Sequence, residues 1–323
     1  MRSLSGASLA LAAMFALTVP TVTGCAKVGE LKAMKAFKAA NQAYQGQDYK
    51  RAAQLYEEAV QANPNLATAY FYLGNSYDNQ WKPSKKGEAE NDALLQKAAD
   101  NYQKAAEKLS ESNKAEDKKL AKLSLEYLVS AYGADKLNDP AKAEPVLQKM
   151  IQEDPTDTPV YAQLAKLYED AGAYDAAEQT LLRAKEAKPN DPAIYMQLAG
   201  YYNRQGQFDK TIDALEQRAQ KEPNNPEAFH TIAVYYWDEA YRDFRLKENQ
   251  KKEFIQKGLD AIDHAIQLKP DYMEAIVYKG LLLRLEANME KDPKKQQELL
   301  KEANALHDKA EELRKKKASG IGE

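Results

Sequence analysis

Residues 158–189 read TPVYAQLAKLYEDAGAYDAAEQTLLRAKEAKP, and this stretch predicts the fold of the chain. Apolar and small residues recur in it three or four residues apart, in two groups: Tyr161, Leu164, Ala165 and Tyr168, then Ala177, Leu181 and Ala184. Residues at this spacing share one face of a helix, so each group forms the apolar stripe of one predicted helix. Gly172, between the groups, can adopt the positive φ of a tight turn, and Pro189 ends the second helix. The stretch therefore predicts two helices packed through small residues.

The stretch is one copy in a regular series, marked by the evenly spaced Pro155, Pro189 and Pro223. Clear copies of its first helix begin at four aromatic residues: Tyr70, Tyr161, Tyr195 and Phe229. The pattern resembles the tetratricopeptide repeat (TPR), a helix-turn-helix unit of about 34 residues written W-x2-L-G-x2-Y, then A-x3-F, then P. With weaker copies at both ends and one in the middle, we count about seven units over residues 31–317. The resemblance implies an all-α fold, a right-handed α-solenoid of about seven TPR helix pairs.

Three repeats are longer than the others, and the extra residues fall between their first and second helices, at 79–95, 238–256 and 285–297. Because equivalent turns of a solenoid share one edge, these insertions are predicted to form a ridge or extended helices there. The simpler alternative is that each insertion lengthens a helix pair, which apolar residues at helical spacing favour for 238–256. Pro145 lies where the second helix of repeat three should run, so that helix is expected to start late or to kink.

The beginning of the chain predicts a secretory signal. Arg2 precedes an apolar run from Leu9 to Val19, which is too short for a membrane span, since a span takes about 20 apolar residues. The sequence VTGC that ends at Cys25 resembles the lipobox of bacterial lipoprotein precursors. The resemblance implies cleavage after Gly24, attachment of diacylglycerol to Cys25, and acylation of the new amino terminus by a fatty acid such as palmitate.

The predicted organisation is therefore a signal peptide at 1–24, a lipidated cysteine with a short tether at 25–30, the repeats, and a flexible tail at 318–323. In lipoproteins of double-membraned bacteria, Ala26 rather than aspartate after the cysteine implies the outer membrane, facing the periplasm. The plain alternative is a secreted protein that is cut elsewhere, with Cys25 incidental.

Composition and motifs argue against catalysis and nucleic-acid binding. The 323 residues have a net charge of −3 and 29% charged residues of both signs, which is typical of a solvated surface and not of a nucleic-acid partner. His230, His264 and His307 are far apart, no HExxH pattern or glycine-rich phosphate loop occurs, and no cysteine follows Cys25. We therefore expect no enzyme, no cofactor and no metal site.

In a stacked solenoid, the first helices line a concave groove, which is where such proteins bind protein or peptide partners. The TPR frame predicts these groove-facing residues: Asn41, Phe71, Asn75, Asp78, Tyr132, Lys166, Met196, Asn203, Arg204, His230 and Trp237. The set does not reproduce the Lys, Asn and Arg clamp with which chaperone-binding relatives hold a terminal carboxylate. Aromatic and amide groups instead suit an extended segment or a partner helix.

The predicted function is a lipid-anchored periplasmic scaffold that binds protein partners in envelope assembly. In architecture it resembles the repeat-containing pilotin lipoproteins of pilus secretins, and lipoproteins that recruit cell-wall enzymes. The alternative is a self-associating structural spacer at the membrane with no dedicated peptide groove.

Overall fold

The computed structural model describes residues 22–319, with side chains from residue 27 onward. This part of the chain is all-helical, with one turn of 3-10 helix at Pro83–Lys85 and no strand. Its α-helices are α1 (Val22–Gln45), α2 (Tyr49–Ala62), α3 (Ala67–Asp78), α4 (Ala89–Ser110), α5 (Ala115–Tyr132), α6 (Pro140–Glu153), α7 (Thr158–Asp170), α8 (Tyr174–Ala187), α9 (Pro192–Arg204), α10 (Phe208–Lys221), α11 (Pro226–Arg242), α12 (Glu248–Leu268), α13 (Met273–Met289) and α14 (Pro293–Ala318). They correspond to the seven predicted repeats, so the predicted fold class is confirmed.

Two predictions at the chain ends fall partly or wholly beyond the described residues. The signal peptide up to residue 21 and the last four residues of the tail lie outside them, as does the side chain of Cys25. The backbone of residues 25–30, expected as a tether, is helical and belongs to α1.

The chain divides into two compact units, unit 1 (residues 1–150) and unit 2 (residues 151–323). In each unit consecutive helices pack side by side, as α3 does with α4 in unit 1 and α11 with α12 in unit 2. In unit 2, α11 also contacts α13, so the first helices of repeats six and seven are neighbours. None of the described helices is long and apolar enough to span a membrane.

The regular period of the repeats has a visible structural basis in unit 2. The Tyr161 hydroxyl donates a hydrogen bond of 3.1 Å to the carbonyl of Pro155, and the Tyr195 hydroxyl donates one of 2.6 Å to the carbonyl of Pro189. Each bond ties the first helix of a repeat to the end of the previous one. In repeat six the equivalent residue is Phe229, which has no hydroxyl to donate.

The turns inside repeats four and five also match. Gly172 and Gly206 have φ of +74° and +67°, a region that side chains with a Cβ rarely adopt. After Gly172, the amide of Ala173 donates to the carbonyl of Tyr168 at 2.8 Å, which closes the end of α7. The expected role of Gly172 is confirmed.

The insertions lengthen helices, which is the simpler of the two alternatives. α4, α12 and α14 have 22, 21 and 26 residues, whereas α8 has 14. The linkers left at these turns are residues 79–88, 243–247 and 290–292. Pro145 lies inside α6, which begins at Pro140. Of the two expectations for this helix, the late start is wrong and the kink stays a prediction.

Candidate partner-binding surface

In unit 1, Phe71 faces inward. Its side chain is only 5% exposed and contacts the rings of Tyr72, Tyr102 and Tyr127, with centroids 5.2 to 6.0 Å apart. Aromatic pairs at these distances contribute packing energy beyond the area they bury. Phe71 is therefore part of the interior of unit 1.

The two predicted asparagines of unit 1 bond to neighbouring side chains. The Oδ1 atom of Asn41 accepts a hydrogen bond of 2.6 Å from the Tyr56 hydroxyl. Asn75 is buried, and its Oδ1 accepts from the Tyr44 hydroxyl and, at 2.8 Å, from Asn79. These amides link helices within unit 1, and their role in binding a partner stays a prediction.

Asp78 forms an ion pair with Lys136, which lies 58 residues further along the chain. The Lys136 Nζ atom lies 2.8 and 2.9 Å from the two carboxylate oxygens, and the side chains are 11% and 16% exposed for Asp78 and Lys136. The Tyr102 hydroxyl adds a longer contact of 3.4 Å. Such a pair fixes the linker after α5 against the end of α3.

Tyr132 is 6% exposed, with the ammonium of Lys142 5.6 Å from its ring centroid. It lines a hollow of ≈360 Å³ between α4, α5 and α6, together with apolar groups such as Leu125, Leu128 and Pro145. The hollow lies beside the proline of α6.

More of the predicted groove residues are exposed in unit 2 than in unit 1. Lys166, Asn203 and Arg204 are all exposed. Arg204 holds the Glu169 carboxylate through two hydrogen bonds of 2.8 and 2.9 Å, and these bonds, opposed by partial burial, lower the pKa of Glu169. Because Arg204 is 53% exposed, solvent screens the pair.

Met196 is half-buried, and its neighbour is an unusual buried arginine. Arg218 is 7% exposed, and its Nη1 atom lies 3.0 Å from the Met196 sulfur. The same guanidinium donates to Glu222 at 2.8 Å and to Glu227 at 3.4 Å. Arg218 stands where TPR units have a small residue, and these partners compensate its buried charge.

His230 and Trp237 belong to a row of rings on α11, on α13 and at the residue directly before α13. We call this row the aromatic strip: His230, Trp237, Tyr241, Tyr272 and Tyr278. Trp237 and Tyr241 are stacked, with centroids 5.2 Å apart and planes at 6°. The Tyr278 ring meets Trp237 edge-on at 5.5 Å, and His230 contacts Tyr272 and Tyr278 at 5.2 Å each. The strip runs from the half-buried His230 to Tyr241, which is 62% exposed.

The surroundings of His230 favour its neutral form. Burial lowers the pKa of the imidazole, against smaller opposing effects of Glu274 and Glu227. Its Nε2 atom is buried and makes no hydrogen bond to any described residue. A neutral ring in this position behaves mainly as an aromatic surface.

Three members of the strip are absent from the predicted groove set. Tyr241 follows Trp237 by four residues, so it shares a helix face with it, and this spacing is visible in the sequence. Tyr272 and Tyr278 belong to repeat seven, whose frame is too degenerate to project groove positions. Their proximity to α11 follows from tertiary packing.

The border of the strip is acidic. Glu227 and Glu274, whose charges act on His230, are both exposed. Among residues 27–319, no group of three or more His, Cys, Asp or Glu side chains could hold a metal ion. At the aromatic strip, the described surface offers flat aromatic faces next to the carboxylates of Glu227 and Glu274.

Comparisons with known proteins agree with the repeats. Two family models of the tetratricopeptide repeat match the chain, at residues 136–200 and 192–234. Residues 136–234 contain tetratricopeptide repeats. The TPR matches cover the second helix of repeat three, repeats four and five, and the first part of repeat six. No curated protein sequence matches the chain.

One solved TPR structure shares the fold with a TM-score above 0.5. The C-terminal part of a TPR repeat-containing protein from Cytophaga hutchinsonii is 14% identical, covers 86% of this chain and 98% of its own, and has a TM-score of 0.53. MamA is 19% identical over 61% of this chain and 94% of its own, with a TM-score of 0.42. YrrB, described as a TPR protein with an unusual peptide-binding site, is 21% identical over 80% and 96%, with a TM-score of 0.31. At 14% identity, the likeness to the Cytophaga hutchinsonii structure concerns the fold alone.

Proposed function

We propose that this chain is a TPR scaffold that binds an extended segment of a partner protein along the aromatic strip of unit 2. The observation that carries the proposal is the stacked pair of Trp237 and Tyr241, which leaves an aromatic face in solvent where a TPR unit has its inner first helix. Exposed, preorganised aromatic groups of this kind are frequent hot spots of protein recognition.

The chemistry of the aromatic strip indicates which kind of partner segment it can bind. Flat rings accept proline, aliphatic or guanidinium groups, and the exposed carboxylates of Glu227 and Glu274 favour positive charge beside them. The partner segment is therefore apolar with at least one lysine or arginine.

The scaffold acts at a membrane in this proposal. The apolar run before the VTGC sequence supports export, and Cys25 is the site of the lipid anchor. Ala26 supports a final position at the outer membrane, facing the periplasm. There the scaffold positions its partner in envelope assembly, as in a pilus or secretin system or in the recruitment of a cell-wall enzyme.

The test is site-specific photo-crosslinking in the native host. A photoreactive phenylalanine analogue replaces Tyr241 in the strip or, as a matched control, Tyr174, which is 49% exposed in the same unit. We expect position 241, and not position 174, to capture a defined envelope protein, identified by mass spectrometry.

A second experiment tests whether capture of the partner depends on the aromatic strip. Trp237→Ala in the chain with the crosslinker at position 241 should abolish capture at unchanged abundance, and the purified partner should quench the fluorescence of Trp237. Equal capture from both positions, or capture that ignores Trp237→Ala, would refute the strip as the binding site. Mass spectrometry of the amino-terminal peptide tests acylation of Cys25 separately.

One observation favours the alternative, self-association. Phe244, in the linker between α11 and α12, is 92% exposed and lies at one of the insertions. Sedimentation of the purified chain distinguishes the two functions, because a scaffold awaiting its partner is monomeric. Oligomers that dissociate on Phe244→Ser would support the structural spacer instead.

A further inference from the structure

The solvent side of α1 is apolar, opposite the face that packs into unit 1. Val28, Leu31 and Met34 are 69%, 74% and 50% exposed. The core face of the same helix consists of small residues that are buried: Ala33, Ala36 and Ala40. α1 thus has two apolar faces, and only one of them is covered by described residues.

This face differs from the rest of the described surface. The large hydrophobic residues exposed elsewhere are single or paired, such as Leu123 on α5 and Val277 on α13. Single exposed apolar residues are ordinary, whereas a contiguous apolar patch marks a contact surface. On α1, three such residues fall within seven positions.

The charge of α1 is strongly one-sided. All four of its lysines are exposed: Lys27, Lys32, Lys35 and Lys38. Glu30 is the only acidic residue from Val22 to Gln45. Apolar side chains flanked by lysines are typical of helices that lie in the interface of a membrane with anionic lipids.

The position of this apolar face relative to Cys25 agrees with a location at the membrane interface. α1 is helical from Val22, so no flexible tether separates Cys25 from the exposed residues. At about 1.5 Å per residue, Leu31 lies about 9 Å, and Met34 about 14 Å, along the helix axis from Cys25. An acyl chain on Cys25 therefore holds this face at the bilayer.

We infer that α1 lies on an anionic phospholipid bilayer, with Val28, Leu31 and Met34 inserted below the headgroups and the lysines at the lipid phosphates. The inference extends the lipid anchor of the proposed function. The acyl chains at Cys25 already hold the protein at the membrane, and the contact of α1 with lipid adds an electrostatic attraction that orients unit 1.

Charge argues against two other occupants of the face. A second copy of α1 would bring two lysine-rich faces together, and like charges repel. The first 21 residues of the chain contain no acidic residue, so they offer these lysines no counter-charge. The phosphates of anionic lipids supply the counter-charge that these lysines lack.

The test uses the absence of any cysteine after Cys25. In the mature, acylated protein, Leu31→Cys or Met34→Cys gives one free thiol for an environment-sensitive fluorophore. Leu123→Cys, on an exposed face of α5 in the same unit, is the matched control. The labelled proteins are reconstituted in vesicles of phosphatidylethanolamine with phosphatidylglycerol, or of phosphatidylcholine alone, each containing nitroxide-labelled lipid.

We expect blue-shifted emission and nitroxide quenching at positions 31 and 34, stronger with phosphatidylglycerol, and neither effect at position 123. Lys35→Glu with Lys38→Glu should reduce quenching at position 31 severalfold, while Lys118→Glu with Lys119→Glu on α5 should not. Emission at position 31 equal to that at 123 would overturn the inference. A blue shift that grows with protein density, without nitroxide quenching, would mean that a second copy of the chain covers this face. That result would also overturn the inference.

A separate measurement distinguishes failure of the proposed lipid anchor from failure of the inference about α1. If mass spectrometry finds Cys25 unmodified, the anchor proposal fails, and Leu31→Cys in a Cys25→Ser background is added to the same vesicles from solution. Quenching that requires phosphatidylglycerol and disappears with Lys35→Glu and Lys38→Glu then supports the inference without the anchor. No such quenching overturns it.

Discussion

Asp78 in unit 1 and Trp237 in unit 2 occupy the same position of the repeat, directly after the last aromatic residue of the first-helix frame. Asp78 is withdrawn into an ion pair with Lys136 and is 11% exposed. Trp237 stays half-buried and stacks on the exposed Tyr241. The repeat frame thus sets which helix face a residue occupies, while its neighbours decide whether a partner can reach it.

The same contrast holds more widely in the two units. Predicted groove residues of unit 1, such as Phe71 and Asn75, are buried and bonded within the unit. In unit 2, Asn203 and Arg204 remain exposed. Unit 1 fills its inner face with its own tyrosines, which is why the proposed partner site lies in unit 2.

The sharpest test of this contrast compares Phe71→Ala with Trp237→Ala. Removing the buried Phe71 ring leaves a cavity and should cost about 3–5 kcal/mol of unfolding free energy. Trp237→Ala removes a half-buried ring and should cost less than about 2 kcal/mol. Denaturant unfolding of each variant, followed by circular dichroism, gives both values.

Fluorescence can localise the first effect, because Trp81 and Trp237 are the only tryptophans and each unit holds one. In a Trp237→Phe background, Phe71→Ala should lower the transition that Trp81 reports. Equal costs for Phe71→Ala and Trp237→Ala would contradict the proposed difference between the units.

The next effect compares two ion pairs. Lys136→Met leaves the Asp78 carboxylate unpaired at a site that is 11% exposed, which should cost about 2–4 kcal/mol. Arg204→Met breaks a pair whose arginine is 53% exposed and should cost less than about 1 kcal/mol. Chemical unfolding at low and high salt measures both, and only the Arg204 pair should weaken markedly with salt.

The double variant Asp78→Asn with Lys136→Met is the control for this comparison. Removing the charge together with its partner should recover much of the lost stability. If the double variant is as unstable as Lys136→Met, the loss comes from packing of the lysine stem and not from an unpaired carboxylate.

A smaller effect compares two helical glycines. A Cβ at Gly74 in unit 1 would lie 2.9 Å from the Tyr102 ring and 3.0 Å from the carbonyl of Ala98, so Gly74→Ala should cost about 1–3 kcal/mol. A Cβ at Gly200 in unit 2 meets only the flexible Arg204 guanidinium, at 3.4 Å. Gly200→Ala should therefore stabilise α9, by about 0.5–1 kcal/mol.

Thermal unfolding of both glycine variants gives the sign of each change. A stabilising Gly74→Ala would mean that α3 and α4 have room to separate. Such a result would contradict the conclusion that unit 1 fills its inner face with its own tyrosines.

The smallest effect is a pH dependence from His230. Burial lowers its pKa, so the unfolded chain binds a proton at a higher pH than the folded chain does. Stability should therefore fall as the pH drops below about 6.5, the ordinary pKa of histidine. His230→Gln should flatten this slope between pH 7 and pH 5, in unfolding curves recorded at several pH values.

His307, which is exposed on α14, is the matched control. His307→Gln should leave the pH slope unchanged. A slope that survives His230→Gln would show that other groups carry it.

Much of the fold was predictable, because TPR packing is local. The evenly spaced prolines and the stripe from Tyr161 to Tyr168 predict helix pairs, and Gly172 predicts the turn between them. The candidate site was predictable only in part. His230 and Trp237 were identified, but Tyr278, which belongs to the next repeat, was not, because the frame of repeat seven is degenerate.

The sequence by itself determined the helix pairs and which residues share a helix face, since contacts between neighbouring turns depend on spacing along the chain. Only the tertiary structure decided which of these faces are covered. Lys136 reaches Asp78 across 58 residues, and Trp237 meets Tyr278 because α11 packs against α13. Exposure depends on such distant neighbours, and spacing within one repeat carries no information about them.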